Sequence, residues 1–247
     1  MTVALFVTCV SDTFCPRVGE AVVRVLRHCG CDVRFPARQT CCGQPAYNSG
    51  FHSEAAELAR RMIAIFEPYE YVVTPSASCA MMVRQHYPQL LADEPGWRKA
   101  ADRLAAKTYE FTSFLREVPE FDVSANLRFN EAVTFHYPCH AREFYSARDL
   151  EALLSRVPGV DLRTPRPVDL CCGFGGIFAV DHAEISGAMM GDKLESLSQT
   201  GAGLVICDEG GCALNLAGGA HRRGTSLRFR HIAECLAESL GLMEAEE

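Results

Sequence analysis

The sequence predicts an α/β protein: two tandem, duplicated Rossmann-like domains, each a parallel sheet flanked by helices. Three observations carry that prediction. The triplet Cys-Cys-Gly occurs twice, at Cys41-Cys42-Gly43 and at Cys171-Cys172-Gly173. A cysteine stands 32 positions before each pair, Cys9 before Cys41 and Cys139 before Cys171, and another follows each pair, Cys79 and Cys212. Apolar runs with β-branched residues alternate with helical periodicity through both copies, an order that gives parallel sheets with right-handed crossovers. The duplication divides the 247 residues into halves 1–125 and 126–247. Each is long enough to bury its own core, and the two are expected to share an interface.

Residues 3–8 are a continuous apolar run, read as a buried strand with Cys9 at its carboxyl end. Pro16 suits a helix start, and Val18, Ala21, Val22, Val25, Leu26 and Cys29 recur at helical spacing until Gly30 ends the helix. Residues 32–35 alternate polar and apolar and give a second strand. Ser53 is placed to cap a helix that buries Ala56, Ala59, Ile63 and Phe66. Residues 71–74 are the third strand. Residues 75–78 turn the chain, and Cys79 opens a short helix through Val83. Residues 88–107 have no counterpart in the second half. They hold the only tryptophan, Trp97, on a helix with Ala101, Leu104 and Ala105 along one face. Phe111, Phe114 and Leu115 close the first half on a helix, and residues 118–130 read as a linker.

The second half repeats the order. Residues 132–135 are a strand followed by Cys139. Leu150, Leu153, Leu154 and Val157 mark a helix that Gly159 stops, and residues 160–163 echo the second strand. A long helix spans roughly residues 181–197. Residues 203–206 are a strand, Cys212 opens the next helix, residues 227–229 are the last strand and residues 232–240 the last helix. Ligands of parallel sheets collect at the carboxyl ends of the strands. Cys9, Cys79, Cys139 and Cys212 all follow strands and the cysteine pairs sit in loops after strands, so each set of four converges on one rim.

A net charge of −7 argues against a nucleic-acid partner. No apolar run approaches the ~18–20 residues that span a bilayer. The opening residues have no basic region and no cleavage site, so they read as a first strand rather than a signal peptide. The thirteen cysteines are therefore expected in the reducing cytoplasm, where metal or redox chemistry is a better default than disulfides.

Thiolates are the soft ligands of iron–sulfur clusters and of structural zinc. Adjacent cysteines diverge around a single tetrahedral ion but can each reach a different iron of a larger cluster. Gly43 and Gly173 let the backbone pass close by, and a helix start at Cys79 or Cys212 favours thiolate. Any one cysteine, taken singly, reads more simply as a small buried hydrophobe. Eight in a duplicated pattern read as ligands. Cys29, Cys31 and Cys235 are assigned to core packing, and Cys15 is left unassigned. Cys207, close to Cys212, is an alternative fifth ligand or redox partner. A lone histidine is usually a surface or satisfied core residue. His140, next to Cys139, could nonetheless donate to a sulfur or relay a proton; His136 precedes that cysteine by three, and His231 caps the last helix. The bare backbone at Gly175-Gly176 allows close approach of a ligand or is a tight turn. No Gly-x-Gly-x-x-Gly follows the first strand of either half, so neither a flavin nor a nicotinamide is expected on this chain.

The segments Phe6-Val7-Thr8-Cys9, residues 40–50 (TCCGQPAYNSG), residues 91–95 (LADEP), residues 171–176 (CCGFGG) and residues 183–187 (AEISG) resemble the cysteine-rich domain of heterodisulfide reductase and of the glycolate oxidase iron–sulfur subunit. The anaerobic glycerol-3-phosphate dehydrogenase shares that domain in its iron–sulfur subunit. The resemblance is closest to the lactate utilization protein A family and covers essentially the whole chain. It implies a cytoplasmic iron–sulfur component of a three-protein system that oxidises L-lactate to pyruvate, with a ferredoxin-type iron–sulfur subunit and a third subunit as partners. The heterodisulfide reductase motif ends in Cys-x-x-Cys, whereas here the first of those positions is Ser76 in one half and Glu209 in the other. Four thiolates per half suit a conventional [4Fe-4S] cluster in each, or zinc in one.

Three functions follow as expectations. The first is an electron-transfer subunit of a lactate-oxidising oxidoreductase, not a complete enzyme alone. The second is a heterodisulfide-reductase-like thiol–disulfide oxidoreductase subunit, which would need an open cleft near Gly175 and Gly176. The third is a zinc-stabilised, non-enzymatic scaffold.

Overall fold

The computed structural model describes residues 1–245; the last two residues of the expected second half lie outside them. Two four-stranded parallel sheets form in sequence. The first contains β1 (Thr2–Leu5), β2 (Asp32–Arg34), β3 (Tyr71–Thr74) and β4 (Thr108–Glu110) in the order β2-β1-β3-β4. The second contains β5 (Ala132–Phe135), β6 (Asp161–Leu162), β7 (Leu204–Cys207) and β8 (Arg228–His231) in the order β6-β5-β7-β8. The two sheets thus share one topology, and helices flank both, as the duplicated pattern predicts. Continuous apolar runs make buried strands: three of the four residues of β1, β3 and β5 are buried, and all four of β7.

In each sheet the chain leaves the first strand to one side and returns on the other, so the order switches between β1 and β3 and between β5 and β7. Such a switch opens a crevice at the carboxyl ends of the two strands. Cys9 and Cys79 follow β1 and β3, and Cys139 and Cys212 follow β5 and β7.

The two halves are joined by a continuous apolar core. Val3, Leu5, Val22, Val25, Leu26, Phe111 and Phe114 from the first half are clustered with Val133, Phe135, Leu153, Leu154, Ile206 and Leu236 from the second. Helix Pro16–His28 packs against helix Ile232–Ser239. Each half also holds a core of its own, around Phe6, Ile63, Phe66 and Met82 in one and around Met190, Leu194, Leu197 and Leu216 in the other.

The structure corrects several local expectations. Ser53 does not cap its helix: the helix is His52–Phe66, Phe51 stands at its N-cap, and the Ser53 hydroxyl donates to Glu54 Oε2 at 2.7 Å. Cys79 and Cys212 do not open their helices either. Those helices are Ala77–Met81 and Gly210–Arg222, with Ser76 and Glu209 at their N-cap positions, so each cysteine is the third helical residue. The first half also has a fourth strand, β4, which the helical pattern running into it conceals. Residues 118–130 are no free linker: they include helix Val123–Asn126, and Val123 and Leu127 are buried in the shared core.

Candidate metal centre

Each Cys-Cys-Gly loop is held by the same devices. Gly43 and Gly173 take left-handed conformations, with φ of 89° and 77°, and their amides donate to Cys41 Sγ and Cys171 Sγ, both at 3.4 Å. A side chain from the region after the fourth cysteine pins each loop. The Tyr87 hydroxyl donates to the carbonyl of Cys42 at 2.8 Å, and the Asn215 amide donates to the carbonyl of Cys172 at 2.8 Å. Thr8, with φ 70°, caps the short helix Cys9–Phe14 and so fixes the position of Cys9.

These elements bring all eight predicted cysteines to one place. In the first half Cys42 Sγ lies 3.4 Å from Cys79 Sγ, and Cys41 Sγ accepts hydrogen bonds from Cys42 and Cys9. In the second half Cys172 Sγ lies 2.9 Å from Cys212 Sγ, and Cys171 Sγ accepts from Cys139 and Cys172. Cys9 and Cys139 are exposed; Cys42, Cys79, Cys172 and Cys212 are buried. Both quartets line a single cleft of about 870 Å³, counting its open mouth, together with His140, Phe174, Gly175 and Gly176.

The seam between the halves runs beside this cleft. Ser76 and Glu209, which stand where the heterodisulfide reductase motif has a further cysteine, meet there in an isolated antiparallel bridge. The Ser76 hydroxyl lies 3.1 and 3.0 Å from the two Glu209 carboxylate oxygens, and the Ser78 amide donates to Oε2 at 2.9 Å. Ser76 also accepts from the Cys79 amide at 3.2 Å. These residues therefore tie the two fourth-cysteine helices together.

The electrostatics differ sharply among neighbouring sulfurs. Hydrogen bonds from Cys42 and Cys9 hold the Cys41 thiol down at about 3, and those from Cys139 and Cys172 hold Cys171 down at about 2. The same bonds, with burial, push Cys9, Cys42, Cys139 and Cys172 well above the usual thiol range. Each set thus stabilises one thiolate and resists a second. Gathering more negative sulfur in so small a buried volume needs a cation. Soft donors, four to a set and free of disulfides, fit a thiophilic metal centre.

His140, marked in the sequence as a donor, lines the cleft with Nδ1 3.8 Å from Cys139 Sγ. Cys207 is buried and turns its thiol to the carbonyl of Glu209 at 3.4 Å. Cys31 and Cys235 are buried in the shared core and Cys29 packs against it, while Cys15 stands at the end of helix Cys9–Phe14. His231 caps the last helix, accepting from the Ala233 amide, and its Nε2 faces the Pro75 carbonyl at 3.2 Å.

His136 is the residue whose part the sequence did not reveal. It is fully buried, neither ring nitrogen has a hydrogen-bond partner, and a ring nitrogen with the sulfurs of Cys172 and Cys212 forms a group within 4.8 Å. Leaving such a group unpaired costs about 1–3 kcal/mol. Its sequence signal was slight: a histidine closing an apolar strand where the first half has Phe6.

The fold and the two thiol sets define a duplicated cysteine-rich protein. The family described as "Cysteine-rich domain" matches twice, over residues 3–84 and 133–217. Lactate utilization protein A of an Exiguobacterium species is 45% identical over 96% of this chain and 98% of its own. The Bacillus cereus protein of that name, and lactate utilization protein A 2 of Bacillus mycoides, are each 44% identical over the same shares. The chain belongs to the lactate utilization protein A family. Among the described residues no helix is long and apolar enough to cross a membrane.

Proposed function

We propose that the protein is the iron–sulfur electron-transfer subunit of a cytoplasmic oxidoreductase complex that oxidises L-lactate to pyruvate. The observation that carries this reading is the convergence of both cysteine quartets on one cleft. Cys9, Cys41, Cys42 and Cys79 would hold one [4Fe-4S] cluster and Cys139, Cys171, Cys172 and Cys212 the other. The halves 1–125 and 126–247 would each supply one set. The clusters accept and release single electrons when bound. The chain's own part would be to present both quartets to one cleft, to anchor the two loops through Tyr87 and Asn215, and to fix the seam through Ser76 and Glu209. The partners proposed are a ferredoxin-type iron–sulfur subunit and a third subunit.

Metal analysis and EPR of anaerobically purified protein test this reading, with Cys42→Ser and Cys172→Ser alongside. Iron and sulfide near eight each per chain are expected, roughly halved in either variant. Lactate-dependent reduction of the clusters is expected in the assembled complex. One observation favours a second arrangement: the grouping of His136 with Cys172 and Cys212 is a donor set that zinc also accepts. Zinc in the second half would show as iron near four, unaffected by Cys172→Ser; zinc in both halves would leave a structural role.

A further inference from the structure

The two halves repeat one topology, but the second has polar groups where the first is apolar. Phe6 and His136 occupy equivalent positions. Each lies three residues before the first cysteine of its set, and each donates its amide across the sheet at 2.9 Å, Phe6 to Val73 and His136 to Ile206. Phe6 is buried against Phe66, with ring centroids 5.6 Å apart. His136 instead carries two unpartnered nitrogens, one of them within 4.8 Å of the sulfurs of Cys172 and Cys212.

The covering helices differ in the same sense. Helix His52–Phe66 buries Ala55, Ala56, Ala59, Met62, Ile63 and Phe66, all apolar. Its counterpart, Ala183–Ser198, buries Lys193 completely. The ammonium donates to the carbonyl of Val168, three residues before Cys171, at 3.2 Å; burial lowers it to about 8, against the opposing pull of Cys207, Asp169, Cys172 and Cys212. A buried cation held at the start of the Cys171-Cys172 loop and an unpartnered imidazole beside Cys172 and Cys212 therefore set the second half apart.

Adding an electron to a thiolate-bound cluster adds negative charge. An N–H donor or a fixed cation beside the sulfurs stabilises the reduced form and raises the potential. The effect is strong where water is excluded. We propose that His136, donating to the sulfurs of Cys172 or Cys212, and Lys193 together make the second-half cluster the higher-potential one, so that electrons entering the chain come to rest there. His136 and Lys193 are positioning residues toward the cluster. This rests on the iron–sulfur reading above, and metal content separates the two: absence of iron removes that reading, whereas the relative potentials decide this one.

The test is an EPR-monitored redox titration of the anaerobic, iron-loaded chain. Two one-electron waves are expected, with Cys42→Ser retaining the higher and Cys172→Ser the lower. His136→Phe installs the first half's residue. It should lower the upper wave by about tenfold in the reduction equilibrium, ~59 mV for one electron, and leave the lower wave in place. Lys193→Met should move the upper wave in the same direction. His136→Gln, which keeps an N–H, should restore most of the potential. It also serves as the readout if His136→Phe loses iron. Pulsed EPR of the reduced second-half cluster should show a weak nitrogen coupling that disappears in His136→Phe. Coincident waves, or an upper wave unmoved by both His136→Phe and Lys193→Met, would overturn the proposal. So would a nitrogen coupling as strong as direct ligation.

Discussion

Gly43 and Gly173 occupy equivalent turns, but an added methyl meets different surroundings in each. At Gly43 a Cβ would touch Leu58 at an ordinary 3.4 Å; at Gly173 it would lie 2.4 Å from the backbone oxygen of Ser186. Both positions have positive φ, which costs a non-glycine residue roughly 1–2 kcal/mol. Gly43→Ala is expected to lose about that much in urea unfolding. Gly173→Ala should lose more and also weaken metal uptake in the second half, because helix Ala183–Ser198 must shift. A second residue-scale prediction concerns Glu110. This buried carboxyl accepts from the Thr112 and Ser113 amides, and burial raises it to about 7. A raised carboxyl contributes stability that is full below its ordinary value of 4.5 and is lost as pH rises through 7. His231 has the opposite sign: burial lowers it to about 4, so its contribution is present above ~6.5 and fades on acidification. Glu110→Gln removes the first and leaves the second. Between pH 7 and 4.5 the variant should therefore lose stability relative to wild type by up to about 1.4 kcal/mol per pH unit, read from urea midpoints at several pH values.

At the scale of elements, the strands were the most legible part. Residues 71–74 and 132–135 are strands with the bounds read from sequence, because uninterrupted apolar runs between turn residues leave little choice. β4 was hidden because three residues are too few to show alternation, and Thr108 donates its hydroxyl back to Leu104 at the end of the preceding helix. The helix starts at Ala77 and Gly210 were misplaced because the true N-cap positions lie three residues upstream of the cysteines. One of them, Glu209, caps no amide of its own helix; its carboxylate faces the other half instead. The last helix, Ile232–Ser239, belongs by sequence to the second half but packs on Pro16–His28 of the first. Leu236, fully buried there, should cost about 2–5 kcal/mol as Leu236→Ala. Because the core is continuous, the loss is expected in one cooperative unfolding transition seen alike by circular dichroism and fluorescence. Separate transitions would show the halves melting independently.

For the whole molecule, the repeated spacing of the cysteines foretold two quartets, since strand ends converge wherever a parallel sheet switches direction. It did not foretell one common cleft. That depends on how the halves are set against each other, which is decided by the shared core and by the meeting of Ser76 with Glu209, contacts 133 residues apart in sequence. The asymmetry between the halves was equally hidden. His136 and Lys193 look like isolated polar residues until the fold sets His136 beside the sulfurs of Cys172 and Cys212, where the first half has Phe6, and buries Lys193 against the carbonyl of Val168. A repeat therefore fixes what two halves have in common, while long-range placement decides what each does differently.

The close pair of thiols at Cys172 and Cys212, 2.9 Å apart, also bears on how the protein is assembled. Two sulfhydryls at that separation are close enough to be joined by a covalent bridge once an oxidant such as dioxygen takes up the two electrons and two protons they release. Newly made chain exposed to air before it is loaded should lose its capacity for iron and regain it on treatment with dithiothreitol. Biosynthesis would then be a race, in which delivery of iron and sulfide has to outrun oxidation, and aeration during production would set the yield of competent protein.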